Sequence, residues 1–257
     1  MENMIDYKRL AYWEAIDEES KEWFYTNERK HSQRSPASAD EVQLELEDEE
    51  DHNYIIDNTR VPWVPLPEIN VPWEDIHKEA IHLLETECFS LHRANSGGGW
   101  MSLCMHGMSS VHTNCPEDYG LPDEAEEHLS DWTDISKFAP ITKQWMQDEM
   151  LYEEFSRVRF MALLPGGWIR PHQDRERMTG LGATNVAINN PDGCKLVIQD
   201  YGTMPFEPGL AMKINTGHFH AVWNRSDEPR IHMIFDGGPS KEFKKIVNSN
   251  YVKMHNA

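Results

Sequence analysis

Residues 160–174, FMALLPGGWIRPHQD, decide the fold. The stretch reads as an apolar strand, a break at Pro165-Gly166-Gly167, and a second short strand ending in His172-Gln173-Asp174. On an extended chain residues i and i+2 face the same way, so His172 and Asp174 can reach one metal ion together. Outward from this point the same rhythm continues. Strands are predicted over 157–164, Trp168–His172, 184–190, 195–199, 210–214, His220–Asn224 and 230–235. The breaks between them are Asn190-Pro191-Asp192-Gly193, Pro208-Gly209, Thr216-Gly217 and Ser226-Asp227-Glu228-Pro229. Short strands at this spacing predict a mainly β, antiparallel sandwich or barrel.

An H-x-D pair alone has little weight, because a chain of this composition produces about one by chance. His77-Lys78-Glu79 shows the danger. It lies on a predicted helix, where i and i+2 diverge by about 200°, and is expected at the surface. What raises His172 is its context. A further histidine, His220, follows in Gly217-His218-Phe219-His220, and Arg230 comes ten residues later, opening the last strand. Two histidines and one carboxylate fill three facial positions on a metal and leave three open, as non-haem Fe(II) oxygen chemistry requires. Arg230, His232 and Ile234 share one strand face. An arginine facing the inside of a barrel is costly unless it meets an anion, and a carboxylate is its natural partner. An internal salt bridge would also satisfy it. His218 competes with His220 on the same face, and the interval to Arg230 favours His220.

Taken together, Phe160-Met-Ala-Leu-Leu-Pro-Gly-Gly-Trp-Ile-Arg-Pro-His172 and His220-Ala-Val-Trp-Asn-Arg-Ser-Asp-Glu-Pro-Arg230 resemble the aspartyl/asparaginyl β-hydroxylase family of 2-oxoglutarate oxygenases. The resemblance runs through residues 155–236. The segment Gly99-Trp-Met-Ser-Leu-Cys-Met-His-Gly107 looks more loosely like the family's substrate-side strand. The resemblance implies a double-stranded β-helix of the cupin-like jelly-roll type, with flanking N-terminal helices. It implies Fe(II), 2-oxoglutarate and dioxygen, and hydroxylation of an unactivated C–H bond. His172 and His220 fall on the metal histidines, Asp174 on the carboxylate ligand, and Arg230 on the residue that binds the distal carboxylate of the co-substrate. Asn185 falls near a position that helps hold the proximal carboxylate, where histidine or arginine is usual. Met161 stands where some members place a serine, and Arg159 on the same strand face compensates. Because Asp174 is present, the chain looks closer to members that act on free amino acids or other small molecules. A peptide or protein substrate is the alternative. Two rival classes on the same barrel are a cupin-like binding protein without oxidative turnover and a metal-dependent isomerase or hydrolase. Neither requires a cation ten residues past the last ligand.

The remainder of the chain sets limits. With 257 residues it accommodates a domain over 61–257, its β-helix core at about 155–236, preceded by an N-terminal helix and acidic extension over 1–60. Residues 6–30 are expected to be helical and rich in Trp and Tyr. The acidic run 41–51 is expected to be mobile, the alternative being an edge strand through Val42, Leu44 and Leu46. Helices are predicted over 73–87, with an apolar stripe of Ile76, Ala80, Ile81, Leu83 and Leu84, and over 140–150. A strand is predicted over 100–106 and a polar tail with a short helix after Asp236. The net charge of −20 argues against a nucleic-acid partner and against anionic membranes. No run is apolar enough to span a bilayer. Cys88, Cys104, Cys115 and Cys194 form no C-x-x-C pair, and the expected setting is reducing and cytoplasmic. The substrate is expected to be a small molecule or peptide.

Overall fold

The computed structural model describes residues 16–28, 62–92, 99–112, 131–174 and 182–256. The acidic run 41–51 therefore lies outside the described residues. In chain order the elements are α1 (Glu18–Glu28), β1 (Trp63–Leu66), α2 (Trp73–Glu85), β2 (Ser90–Leu91), β3 (Trp100–Gly107) and β4 (Asp131–Trp132). A 3-10 turn (Asp134–Phe138) and α3 (Pro140–Asp148) follow. The β-rich half comprises β5 (Tyr152–Leu163), β6 (Trp168–His172), β7 (Thr184–Ala187), β8 (Cys194–Ile198), β9 (Gly202–Thr203), β10 (Ala211–Ile214), β11 (His220–Asn224) and β12 (Arg230–Pro239). The chain closes with α4 (Lys241–Asn256).

The strands form two antiparallel sheets. The larger has the order β1-β10-β7-β12-β5-β3-β2, with β4 beside β3, and the smaller has the order β6-β11-β8-β9. From β5 to β12 the strands alternate between the sheets except at the β8–β9 hairpin, and the two faces enclose an interior: this is the expected double-stranded β-helix. Period-2 alternation sorts the side chains. On β12, Ile231, Met233 and Phe235 point outward and pack with Val158, Phe160 and Ala162 of β5 under α2, α3 and α4. The intervening residues face inward, where Leu163, Ala187, Met212 and Ile214 meet Ile169, Leu196, Ile198 and Val222 of the smaller sheet. That sheet's outer face carries Trp168, Val197, Ala221 and Trp223, and α1 covers it through Phe24. Phe24 and Trp223 meet edge to face at 4.3 Å.

The helices follow the expected stripes, with Ile76, Ala80, Leu83 and Leu84 buried on α2. Pro65 sits in β1, at the edge of the larger sheet, where its missing N–H costs no ladder bond. Three expectations need correction. Strand β7 ends at Ala187, because the N–H groups of Ile188 and Asn189 both turn to the Ile231 carbonyl. Strand β12 does not stop near Asp236: it continues through two irregularities to Pro239. Gly237 makes this possible. Its φ is +155°, and a Cβ there would lie 2.2 Å from the Glu154 carbonyl oxygen. The closing helix is 16 residues long rather than short.

Asn224 ties the end of β11 to the start of β12. Its Nδ2 donates to the carbonyls of Leu163 (2.8 Å) and Glu228 (2.7 Å). Its Oδ1 accepts from the backbone N–H of Ser226 (2.9 Å), the Ser226 hydroxyl (2.6 Å) and the Cys194 thiol (3.0 Å). Truncating this buried amide leaves several polar groups unsatisfied. Asn224→Ala is expected to lower unfolding free energy by about 2–4 kcal/mol, checked by urea denaturation. A loss under about 0.5 kcal/mol would show that the turn holds without it.

Candidate metal centre

The two histidines are positioned by strand pairing. His172 ends β6, His220 opens β11, and they are direct partners across the antiparallel ladder. Their ring centroids are 4.3 Å apart. Asp174 lies two residues beyond β6. It keeps the strand's alternation because its backbone N–H bonds the Thr216 carbonyl at 3.2 Å, and the Thr216 hydroxyl also bonds its carboxylate. Gln173, facing the other way, donates to the Gly217 carbonyl at 2.7 Å. Donor atoms of His172, Asp174 and His220 all lie within 4.8 Å of one another. Among the described residues this is the one such cluster of three or more His, Cys, Asp or Glu groups.

The donor set suits a metal. His172 Nδ1 lies 2.7 Å from the Arg170 carbonyl, and His220 Nδ1 lies 2.9 Å from the His218 carbonyl. A carbonyl can only accept, so each Nδ1 carries the proton and each Nε2 presents a lone pair. His172 Nε2 is 3.4 Å from Asp174 Oδ1. Burial alone would raise the Asp174 carboxyl, but the hydrogen bond and positive charge that His172 offers when protonated, the charge of a protonated His220 and the Thr216 hydroxyl outweigh it and hold the group below the usual carboxylate range, so that it stays a carboxylate when the rings are neutral. Burial pushes the His220 imidazole down. The site thus offers a carboxylate and two neutral imidazoles, the protonation states that metal coordination requires.

Arg230 opens β12 on the inward face and is buried. Its Nε reaches Asn190 Oδ1 at 3.4 Å, its Nη2 lies 3.2 Å from His232 Nδ1, and its guanidinium lies over the Phe206 ring at 5.7 Å. Among the described residues no carboxylate pairs with it. Burial pulls its proton affinity down to about 10, which still leaves it charged at neutral pH. Asn185 and Arg159 flank Ile234 in one rung of the ladder, Ile234 pairing with both. Asn185 contacts His232 Nδ1 at 2.6 Å, whereas the Arg159 guanidinium turns to Asp236 at 3.6 Å, beside Arg157 at 3.4 Å. His218 is half-buried against Tyr201 and is not part of the cluster. His77, expected at the surface, is half-buried on α2, 3.5 Å from Asn189. Sequence reasoning missed Thr216, Asn190 and Phe206. The Asn189-Asn190 pair before Pro191 was the available sign of a built turn.

The family model for aspartyl/asparaginyl β-hydroxylase matches residues 71–238, more than half of the sequence. The chain belongs to the aspartyl/asparaginyl β-hydroxylase family. It is accordingly a hydroxylase of the Fe(II)- and 2-oxoglutarate-dependent kind. A search of curated proteins finds no match. Among solved structures, the chain is distantly similar to an oxidoreductase of the 2OG-Fe(II) oxygenase family from Burkholderia pseudomallei, with 11% identity, 82% of this chain and 97% of that one covered, and a TM-score of 0.43. It is also similar to a prolyl-4-hydroxylase from Pseudomonas putida, with 15% identity, 77% and 98% covered, and a TM-score of 0.39. A viral collagen prolyl hydroxylase from Paramecium Bursaria Chlorella virus-1 shows 12% identity, 68% and 94% coverage, and a TM-score of 0.37. No helix among the described residues is long and apolar enough to cross a membrane.

Two buried histidines away from the donor cluster set a pH dependence. Burial lowers the proton affinity of His106, and burial together with Arg230 lowers that of His232 well below its ordinary value. The unfolded chain then binds more protons than the folded one as pH falls through about 6.5. Stability therefore falls with falling pH, by up to about 1.4 kcal/mol per pH unit for each group. Urea midpoints of the metal-free protein should drop between pH 7 and 5, and less steeply for His232→Leu. Parallel profiles would refute the neutral buried state of His232.

Proposed function

We propose that the chain hydroxylates a C–H bond of a small molecule, a free amino acid or a peptide, with His172, Asp174 and His220 holding Fe(II) and Arg230 binding the far carboxylate of 2-oxoglutarate. The observation that carries this reading is the combination of a three-donor facial cluster with a buried, carboxylate-free arginine that opens the strand following the second histidine. The metal and its co-substrate, when bound, supply the oxidising chemistry, with 2-oxoglutarate giving up CO2 and leaving as succinate.

The chain's own part is position and dryness. The Arg170 and His218 carbonyls fix both imidazoles with Nε2 turned to the donor cluster. Thr216 holds Asp174 on the same side, so the opposite positions stay free for co-substrate, dioxygen and substrate. Arg230 lies among Leu163, Phe206 and His232, away from solvent, where a charge-assisted pair with a carboxylate is worth more than in water. The inward residue Asn185 supports the near end of the co-substrate, while Arg159 shares its rung with its guanidinium turned to Asp236. A cupin-like binding protein or a metal-dependent hydrolase has no use for such an arginine. The setting of the enzyme is taken to be cytoplasmic, with no nucleic-acid partner, in line with the acidic balance.

Asp174→Ala should fold normally and lose Fe(II)-dependent turnover by at least about 100-fold, because strand pairing and not the metal builds the site. Succinate release from 2-oxoglutarate measures it, and undiminished activity would remove Asp174 from the ligand set. Arg230→Ala should spare Fe(II) binding and weaken 2-oxoglutarate by about 2–5 kcal/mol, roughly 30-fold to several thousand-fold. Lysine should rescue it only in part, since a point charge replaces a planar fork. The readout is an anaerobic titration followed by the metal-to-ligand charge-transfer band. Equal dissociation constants for wild type and Arg230→Ala would sink the assignment.

A further inference from the structure

A polar cleft that the chemistry above leaves unused lies at the donor end of the smaller sheet. It has a volume of about 250 Å³ and is lined chiefly by Gln173, Gln199, Asp200, Tyr201, His218 and Phe219. These residues come from the end of β6, the β8–β9 turn and the segment leading into β11. Gln173 stands between His172 and Asp174 in the chain, and His218-Phe219 runs directly into His220. The cleft therefore shares its walls with the strand ends that carry the metal donors. Its volume falls below the roughly 300–1,000 Å³ of sites that enclose a whole small ligand, and suits a single headgroup.

The walls specify the headgroup. Among the described residues Asp200 is the one acidic side chain lining the cleft, and no lysine or arginine lines it. Gln173 Nε2 is committed to the Gly217 carbonyl at 2.7 Å, which leaves its Oε1 as an acceptor. The exposed Phe219 ring and Tyr201, which His218 meets edge to face at 5.2 Å, add aromatic surface. A carboxylate, an amide oxygen and aromatic rings together favour a cation over an anion. The net charge of −20 adds long-range attraction of the same sign. The carboxylate is also held in place. Asp200 has a φ of +67°, the left-handed region that non-glycine residues occupy at a cost. Its backbone N–H donates to Asn27 Oδ1 of α1 at 3.2 Å, and Asn27 is itself buried, with its Nδ2 bonded to the Trp23 carbonyl at 2.9 Å. The covering helix thus pins the β8–β9 turn with the Asp200 side chain on the cleft. A glycine would hold the same turn at less cost, so the side chain is what accounts for the residue. We propose that the cleft binds the cationic side-chain head, an ammonium or a guanidinium, of the substrate, with Asp200 selecting a basic amino acid for the metal centre beside it. This inference rests on the hydroxylase reading above and narrows its substrate class.

The test uses the full chain loaded with Fe(II) and 2-oxoglutarate. The probes are L-arginine and L-lysine, each free and as its N-acetyl amide, against the uncharged L-citrulline and L-norleucine in the same two forms. In anaerobic titration calorimetry at least one basic probe should bind about 5-fold or more tightly than its uncharged counterpart. With dioxygen admitted, that probe should stimulate succinate release and gain one oxygen in mass. The arginine and lysine arms separate a guanidinium from an ammonium, and the free and blocked forms separate an amino acid from a peptide. Asp200→Asn keeps the turn, because asparagine enters the left-handed region readily. It should raise the dissociation constant and KM of the basic probe about 5-fold or more and leave the affinities for Fe(II) and 2-oxoglutarate unchanged. Asp200→Glu, which keeps the charge, should recover part of the loss, and it carries the comparison if the asparagine variant does not fold. Equal binding of charged and uncharged probes would overturn the inference. So would no binding of any basic probe, binding without stimulated succinate release, or wild-type affinity in Asp200→Asn. If the wild-type protein shows the 2-oxoglutarate charge-transfer band while any of these holds, this inference falls alone. If it shows no band, the proposed function falls and takes the inference with it.

Discussion

A guanidinium held inside a barrel is the constraint around which this structure is arranged. Arg230 cannot discard its proton at neutral pH, and burying its charge without compensation is unfavourable by several kcal/mol. The surrounding residues reduce that cost without cancelling the charge. Asn190 accepts from Nε, His232 accepts from Nη2, and the Phe206 ring lies beneath the plane. None of these is an anion. The charge is thus stabilised enough to fold around without an anionic partner among the described residues, which is what the proposed carboxylate-binding role requires. Arg157 and Arg159 show the contrast within the same sheet, since both reach Asp236.

The ladder between the two sheets turns that constraint into geometry. Asn224 fastens the end of the histidine-bearing strand to Leu163, which pairs with Arg230 across β5 and β12. His220 at the other end of the same strand pairs with His172. One five-residue strand, β11, therefore sets the position of the donor cluster relative to the guanidinium. This is the physical content of the ten-residue interval between His220 and Arg230. The interval is the length of a strand plus a tight turn braced by Asn224 and Ser226.

Much of this was legible in the sequence because turn residues punctuate the strands. Trp168–His172 begins after Pro165-Gly166-Gly167, and His220–Asn224 ends ahead of Ser226-Asp227-Glu228-Pro229, as those signals place them. The failures share a cause: local turn chemistry was read without knowing what the neighbouring chain would do. Gly237-Gly238-Pro239 looks like a terminator, yet the glycine is there to let two strands approach. Asn189 looks like strand interior, yet its Oδ1 takes the Ile231 N–H at 2.6 Å and ends the ladder early. The placing of Asp174 succeeded for an incomplete reason. The strand stops at His172, and Thr216, 42 positions away in sequence, keeps the alternation going. No local pattern announces such a bond.

The same limit explains why His232 carried no signal. A histidine alternating with Ile231 and Met233 on an inward face reads as a core residue, and by burial it is one. Its meaning depends on which atoms stand next to it. Its Nδ1 stands between Arg230 Nη2 at 3.2 Å, which can only donate, and Asn185 Oδ1 at 2.6 Å, which can only accept. A lysine in place of Arg230 would keep the charge but lose the planar fork that reaches Asn190 and His232 together.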